Sequence, residues 1–293
     1  MQKKELQKIA TTSSPNQLAL KRFKRNKPAV IGSCFIIFCI LLAIFAYQIV
    51  PDGSPNANRQ IPELNLSEAG LSTKLLRVQN NFARPKKNFI KRFFMGKEDV
   101  HTYIPLEDIK INNDTIQTFL NGKAYKAYHL ADVVYSINNP NEIKSGGDKY
   151  LFTSLDGQQV SVSKADIEKT VSEKHIRKTT FWLGTDQYGR DVLSRLIIGV
   201  RISLLAGLIA VIISILLGTL LGMLAGYYGG RIDTVISFFI NTVWSIPTLL
   251  LVFAIVIALG KSITNIFLAV GLTMWVDVAR IVRGQVLLSL IHI

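Results

Sequence analysis

Four long apolar runs alternate with polar segments along this chain of 293 residues. The first run covers residues 29–50 and contains no charged side chain. Its length is sufficient for a helix to cross a hydrocarbon core of about 30 Å. The later runs predict three further spans at about 201–226, 234–259 and 263–279. The pattern therefore predicts an all-α polytopic membrane protein with about four transmembrane helices.

A polar segment of domain size, residues 51–180, separates the first span from the others. Residues 150–163 contain two short β-type runs around Asp156-Gly157, which predict a hairpin. Residues 164–178 predict a charged helix with Ser163 as its cap. We therefore expect an extracytoplasmic α+β insert whose fold the sequence does not name.

One stretch of this insert, residues 77–97, is both basic and rich in phenylalanine. Basic residues interleaved with aromatic rings are typical of nucleic-acid binding or of a membrane surface. Because we expect the insert outside the cytoplasm, we interpret the stretch as a membrane-surface or packing segment.

Basic residues are concentrated at the amino end. The chain holds 34 Lys and Arg against 20 Asp and Glu, and eight of these cations but only one acid lie in residues 1–28. The positive-inside rule places such a flank in the cytoplasm. We therefore predict a cytoplasmic basic tail at 1–28 and no nucleic-acid partner.

A compact polar signature, LGTDQYGRD at 183–191, ends the insert. Thr185 and Asp186 are residue types that cap helix starts, and Asp191 is spaced to pair with Arg195. The apolar face of residues 192–200 predicts an interfacial helix, so residues 181–200 are expected to form a signature turn and an interfacial helix. The signature is either a structural turn or a contact with substrate or a delivering partner at the outer entrance. Its candidate residues are Gly184, Thr185, Asp186, Gly189, Arg190 and Asp191.

The span at 201–226 carries a small residue at every fourth position. Small side chains let membrane helices approach closely, because lipid supplies no hydrophobic drive for their association. We predict that this stripe packs against a crossing helix. Its members are Ala206, Ala210, Ser214, Gly218, Gly222 and Gly226.

Polar residues and a proline interrupt the span at 234–259. Pro247 has no N–H for the carbonyl four residues earlier, so we expect a kink there. Polar groups beside such a kink face either a translocation path or another helix. The candidate path residues are Asn241, Thr242, Ser245, Pro247 and Thr248.

Three charged residues, Asp277, Arg280 and Arg283, mark the end of the last predicted span. Asp277 and Arg280 are spaced to pair at i,i+3, and we place all three at the cytoplasmic end of the span. The sequence contains no nucleophile–base pair and no metal-ligand spacing, so an enzyme and a metal site are not predicted.

The carboxyl half resembles a known family. The motifs occur in order and are LGTDQYGRD at 183–191, RISL at 201–204, AGYYGG at 225–230, IPTLLL at 246–251 and ARIVRGQVL at 279–287. Together with the basic amino end and first span, they resemble the C-type inner-membrane permease subunit of bacterial dipeptide and oligopeptide ABC importers. Residues 201–290 are thereby expected to be part of the permease core.

The resemblance implies a multi-pass subunit of the bacterial cytoplasmic (inner) membrane that forms half of a translocation path. It implies a second permease, two cytoplasmic ATPases and an extracytoplasmic substrate-binding protein as partners, with the lipid bilayer around them. It also implies that this chain binds no cofactor, since ATP is used by the partner subunits.

Family members continue beyond the segment at 279–287 into a loop with a Glu-Ala-Ala motif that docks on the ATPase. This sequence stops at Ile293, so we expect an incomplete family core and a truncated form that does not couple to ATP. The alternative is a membrane-anchored sensor or receptor whose insert binds a ligand. It is favoured by the domain-sized insert between two spans and disfavoured by the extra spans that follow.

Overall fold

The computed structural model describes residues 15–82, 88–112, 114–120 and 122–291. The chain divides into two compact units, Met1–Val200 and Arg201–Ile293. Residues 1–14 of the predicted basic tail and residues 83–87 of the basic, phenylalanine-rich stretch lie outside the described residues.

The described part of the first unit begins with the helices α1 (Pro15–Arg25), α2 (Lys27–Ile44) and α3 (Ala46–Ile49). Asn26 separates α1 from α2 and caps α2, because its side chain accepts a hydrogen bond from the N–H of Ala29 at 3.3 Å. Helix α2 buries no side chain within the described structure. The helix starts at Lys27, two residues before the span predicted at 29–50, and breaks at Phe45.

The rest of the first unit is an α+β domain. Among the described residues, its strands form three antiparallel sheets with the orders β2-β1-β9, β3-β4-β5 and β6-β7-β8. The described elements are β1 (Leu71–Gln79), α4 (Phe89–Met95), β2 (His101–Leu106), β3 (Asp108–Asn112), β4 (Thr115–Leu120), β5 (Lys123–His129), α5 (Leu130–Val134), β6 (Lys144–Gly146), β7 (Lys149–Thr153), β8 (Gln159–Ser163), α6 (Lys164–Thr170) and β9 (Ile176–Phe181).

Strand β1 is buried on both faces, because successive side chains of a strand point to opposite sides. Leu76 lies in the main core of the domain, and Leu75 lies in a second cluster. That second cluster also holds Ile61, Leu64 and Phe181, so the residues just before the signature are fixed by the domain core.

The hairpin predicted at 150–163 is confirmed, since β7 and β8 pair from Lys149 to Ser163. The charged helix predicted at 164–178 is wrong beyond Thr170: a π-helical turn follows, and residues 176–181 form β9. Strand β9 pairs with β1 in an antiparallel ladder from Leu71↔Phe181 to Leu76↔Ile176. Pairing with a distant strand outweighs the local helical pattern.

The remaining helices are α7 (Val192–Tyr228), α8 (Gly230–Ser245), α9 (Thr248–Leu259) and α10 (Ile263–Ile291). The predicted interfacial helix at 192–200 is not a separate element, because it continues into the span at 201–226. Residues 192–228 contain no proline to interrupt the backbone ladder. With 37 residues, α7 is about 55 Å long, well beyond the hydrocarbon thickness.

The span predicted at 234–259 is not one kinked helix. Helices α8 and α9 meet at 97°, far more than a proline kink within a continuous helix. Ile246 is extended at φ −89° and ψ 130°, as expected for the residue before a proline, and Pro247 caps α9.

Three described helices are long and apolar enough to cross a membrane, and the bent pair would make a fourth span if it crosses as one. The long apolar windows cover Lys27–Ile44, Val192–Tyr228 and Ile263–Ser289. The last of these extends ten residues beyond the predicted end at 279. Length and composition therefore agree with a polytopic membrane protein.

Candidate functional site

Asp186 organises the signature turn. Its Oδ1 accepts hydrogen bonds from the N–H groups of Tyr188 and Arg190 at 2.9 and 3.0 Å. The Arg190 side chain returns to Oδ2, with Nε at 2.8 Å. Burial opposes ionisation of this carboxyl, but the hydrogen bonds from Arg190 outweigh it and lower the pKa of Asp186. Asp186 therefore closes a turn, whereas we predicted a helix cap.

Thr185 attaches the signature to the segment before β1. Its Oγ1 accepts the N–H of Ser67 at 2.9 Å and donates to the carbonyl of Leu64. Its own N–H donates to the carbonyl of Ser67 at 3.1 Å. The hydroxyl of the buried Thr185 therefore links two loops. The prediction that Thr185 caps a helix is also wrong.

The two signature glycines are required by close backbone contacts. Gly184 and Gly189 both have φ of +71°. A Cβ at Gly184 would lie 2.2 Å from the carbonyl oxygen of Ser67, and one at Gly189 would lie 1.8 Å from that of Ile61. Both positions exclude a side chain on conformational and steric grounds.

Asp191 is the cap of α7. Its Oδ2 accepts the N–H of Ser194 at 2.9 Å and also the Ser194 hydroxyl. The Ser194 Oγ in turn accepts the N–H of Asp52 at 3.0 Å. The predicted Asp191–Arg195 pair is wrong, because Arg195 reaches Asp186 instead, at 3.6 Å.

A second polar cluster, which the sequence analysis missed, holds the chain just after α3. Asp52 is buried and accepts the N–H groups of Ser54 and Arg59, each at 3.0 Å. Arg59 also donates through Nε to Asp99 at 2.6 Å and lies over the ring of Tyr103. Burial works against the charge of Arg59, yet Asp52 and Asp99 raise the pKa of its guanidinium. The residues Pro51-Asp52-Gly53 are typical of a turn, so the sequence indicates where this cluster begins. It does not identify Arg59 and Asp99 as the other members.

The small-residue stripe lies against α10 within the second unit. A Cβ at Gly218 would lie 2.6 Å from the carbonyl oxygen of Trp275, and one at Gly222 would lie 2.5 Å from that of Ala279. At Gly226 it would meet the side chain of Val286 at 2.8 Å. The two backbones are therefore in direct contact along this stripe.

The amino-terminal part of the stripe has looser contacts. Ser214 donates its hydroxyl to the carbonyl of Gly271 at 3.1 Å. Gly271 is itself close to α7, because a Cβ there would lie 2.8 Å from that of Ile213. Ala210 is buried and Ala206 is half-buried, and the closest approaches of the two helices are further along the stripe, at Gly218 and Gly222.

The five candidate path residues surround the break between α8 and α9. All five are exposed: Asn241, Thr242, Ser245, Pro247 and Thr248. Thr242 donates its hydroxyl to the carbonyl of Phe238, and Ser245 donates to that of Thr242, each at 2.8 Å. These hydroxyls satisfy backbone carbonyls next to the break.

Asp277, Arg280 and Arg283, which we predicted at the end of a helix, lie inside α10. Arg283 forms a bidentate ion pair with Asp233 of α8, with N–O distances of 2.5 and 2.6 Å. Arg280 lies over the ring of Trp244 at 4.1 Å, whereas we predicted a pair with the exposed Asp277. The sequence analysis missed Asp233 and Trp244, since both partners lie on another helix.

No group of three or more His, Cys, Asp or Glu side chains could hold a metal ion within the described ranges. The carboxylate of Asp186, the hydroxyl of Thr185 and the Arg283–Asp233 pair are engaged in hydrogen bonds or ion pairs. They are arranged to hold backbone and helices in place.

Two family models match separate parts of the chain. Residues 14–65 match the N-terminal transmembrane domain of oligopeptide transport permease C. Residues 218–291 match the inner membrane component of binding-protein-dependent transport systems. The second match includes the end of α7, the bent pair and α10.

Curated relatives agree with these matches. Oligopeptide transport system permease protein OppC of Bacillus subtilis is 36% identical over 137 residues, which cover 47% of this chain and 42% of the relative. Dipeptide transport system permease protein DppC of the same organism is 40% identical over 122 residues, 41% and 38% of the two chains. OppC of Escherichia coli (strain K12) is 49% identical over 106 residues, 36% and 35% of the two chains.

The matched part spans about two fifths of the length of these curated relatives. The names of the relatives and both family models point to the same kind of protein. The resemblance to the C-type permease subunits of bacterial peptide ABC importers is therefore confirmed over residues 14–65 and 218–291.

Proposed function

We propose that this chain is a membrane permease subunit of an ABC importer and forms half of the translocation path for peptides or related small solutes. The observation that carries the proposal is the family match at 218–291, together with the packing of α7 on α10 inside that segment. The chain is a transport subunit and no enzyme. The comparisons give no support to the alternative of a membrane-anchored sensor.

The family match supports a set of partners for the proposed importer. They are a second permease subunit, two cytoplasmic ATPases and an extracytoplasmic substrate-binding protein. ATP is bound and hydrolysed by the ATPases, and this chain binds no cofactor. Helix α9 exposes a large apolar surface that includes Leu249, Phe253 and Ile257, which suits contact with lipid or with the second permease.

The break between α8 and α9 is the part of the second unit best suited to line the path. Non-helical backbone at membrane depth is tolerated where it is buried in protein or lines a water-filled cavity. Ile246 and Pro247 supply such backbone, and Asn241, Thr242, Ser245 and Thr248 add polar groups beside it. Transport proceeds by alternating access, which ATP drives through its different affinity for the two states.

The membrane orientation follows from charge. Helix α1 ends in Arg22, Lys24 and Arg25, and Lys27 begins α2. The positive-inside rule places this end in the cytoplasm of the bacterial inner membrane. The α+β domain, which follows α2 and α3 in the chain, then lies on the extracytoplasmic side.

Photolabelling tests the proposed path without requiring ATP turnover. Membranes that contain this chain, the second permease and the ATPases are irradiated with a photoreactive dipeptide. We expect label in the segment from Asn241 to Thr248, and competition by excess unlabelled dipeptide. Peptides from α2 (Lys27–Ile44) provide the matched control in the same sample. Labelling no greater than that of α2 would overturn the assignment.

A further inference from the structure

Helix α4 (Phe89–Met95) presents large apolar side chains on the surface of the first unit. Phe89 and Ile90 are 81% and 69% exposed, and Met95 is 59% exposed. Soluble surfaces rarely expose so many large apolar groups in one short element. The surface therefore requires an occupant.

The helix is held at the end of the first apolar span. The ring of Phe93 meets that of Phe45 edge to face, with centroids 6.2 Å apart. Gln48 donates to the carbonyl of Phe93 at 3.4 Å. Phe45 and Gln48 follow α2 directly in the chain, so α4 is located where α2 ends.

Gly96 makes this attachment close. A Cβ at Gly96 would lie 2.7 Å from the ring of Tyr47 and 2.8 Å from the carbonyl oxygen of Gly53. The next residue, Lys97, donates its N–H to the same carbonyl at 2.9 Å. The carboxyl end of α4 is therefore fixed against the chain just after the span.

The side chains of α4 are distributed as in an interfacial helix. At 100° per residue, Phe89, Phe93, Ile90 and Phe94 cover an arc of about 140°. The two cations, Lys91 and Arg92, lie outside that arc, and Met95 lies between them on the opposite side of the helix. An apolar arc bordered by basic residues is typical of helices that lie in the headgroup region of a bilayer.

We propose that α4 lies in the headgroup region of the bilayer leaflet where α2 ends, and binds anionic phospholipid there. The apolar arc is continuous with the span through the contact of Phe93 with Phe45, and Phe45 and Ile49 are themselves exposed. Lys91 and Arg92 are exposed and suit phosphate groups. A lipid surface satisfies both features, and the α+β domain is thereby held against the membrane.

Spin-label accessibility in nanodiscs tests this assignment. Labels are attached to the full chain at Ile90→Cys or Phe94→Cys, after Cys34→Ala and Cys39→Ala remove the native thiols. Ile111→Cys is the matched control, because Ile111 is an exposed apolar residue on β3 of the same unit. Collision rates with oxygen, which is enriched in lipid, and with a water-soluble nickel chelate are compared.

We expect the labels at positions 90 and 94 to favour oxygen over nickel at least threefold more than the label at 111. Replacing both Lys91 and Arg92 by Gln, or using zwitterionic lipid alone, should reduce that ratio. Nickel accessibility equal to the control would overturn the proposal. Protection that arises only after the second permease or the binding protein is added would also overturn it, because the occupant would then be protein.

Discussion

At the scale of single residues, the signature holds together segments that are far apart in the chain. Asp191 caps α7 through Ser194, and Ser194 accepts a hydrogen bond from Asp52, 142 residues earlier. Thr185 joins Ser67 and Leu64. The residue types of the signature predicted caps and turns, but only the fold shows which acid caps which helix.

Replacing Asp191 by Ala should destabilise the first unit by about 1–3 kcal/mol. The change removes a cap and leaves the buried Ser194 hydroxyl with one partner fewer. Ser163→Ala is the matched control, since Ser163 occupies a cap position without a side-chain hydrogen bond. Chemical denaturation of the detergent-solubilised chain measures both. Equal losses for the two variants would contradict the role of Asp191.

Replacing Gly189 by Ala should destabilise the first unit by about 3–5 kcal/mol. The new Cβ would lie 1.8 Å from the carbonyl oxygen of Ile61, so the backbone must move. Gly157→Ala is the control, because Gly157 has a similar φ of +77° but no atom within 4 Å of its Cβ position. The free energy of unfolding of Gly157→Ala should fall by about 1 kcal/mol, because only the positive φ disfavours alanine there. Similar unfolding midpoints for the two variants would argue against the contact with Ile61.

At the scale of elements, the tight interface of α7 with α10 depends on glycine. Its tightest approaches are at Gly218 and Gly222, where each Cβ position lies within about 2.6 Å of an α10 carbonyl oxygen. The ion pair of Arg283 with Asp233 and the stacking of Arg280 on Trp244 then join α10 to α8. Helix α10 therefore packs against both α7 and α8.

Gly222→Ala should weaken the interface of α7 with α10 by about 1–3 kcal/mol, because overpacking forces the helices apart. Gly207→Ala on the same helix should have no such effect, since its Cβ position has nothing within 4 Å. It should even stabilise the helix by up to about 1 kcal/mol. The thermal unfolding midpoint of the solubilised chain, monitored by size-exclusion chromatography after heating, distinguishes the two variants. The interface would be disproved if Gly222→Ala raised the midpoint as Gly207→Ala does.

Hydropathy predicted where the spans lie better than where helices begin or end. Within the described residues, the helices that are long and apolar enough to cross a membrane lie in the long apolar runs, because crossing lipid requires about 20 apolar residues whatever the fold. The 97° bend at Pro247 was predicted only as a kink, since its size depends on packing as well as on proline. The charged helix was predicted to run to residue 178, into the strand at 176–181, because the partner strand of that segment lies about a hundred residues away.

At the scale of the whole molecule, the two units have different chemistry. Arg201–Ile293 consists of helices with largely apolar surfaces, whereas Met1–Val200 contains an α+β domain with its own buried core. The sequence predicted a polar segment of domain size at 51–180 and apolar helices after residue 200. The insert could not be named as a fold, because its sheets are joined by long-range pairs such as Leu71↔Phe181.

Two histidines of the domain are held neutral. The rings of His101 and His175 lie 5.9 Å apart, and Nδ1 of His175 is 2.6 Å from the carbonyl of Arg77. Burial, with the Arg77 cation, lowers the pKa of His101 to about 4, and burial also lowers the pKa of His175. Asp99 opposes the shift at His101 only in part. Both rings therefore stay uncharged at neutral pH in the folded domain.

Acid should consequently destabilise the domain. Below the ordinary histidine pKa of about 6.5, the unfolded chain binds protons that the folded domain does not, so stability falls as the pH falls from about 6.5 towards 4. His101 should account for about 1 kcal/mol of this decrease in the free energy of unfolding, a figure reduced to allow for the partial solvent exposure of its ring. Opening free energies of β1 amides, measured by hydrogen exchange and corrected for intrinsic rates, should decrease over this range. His101→Gln should flatten the decrease, and an unchanged slope in that variant would exclude His101 as its source.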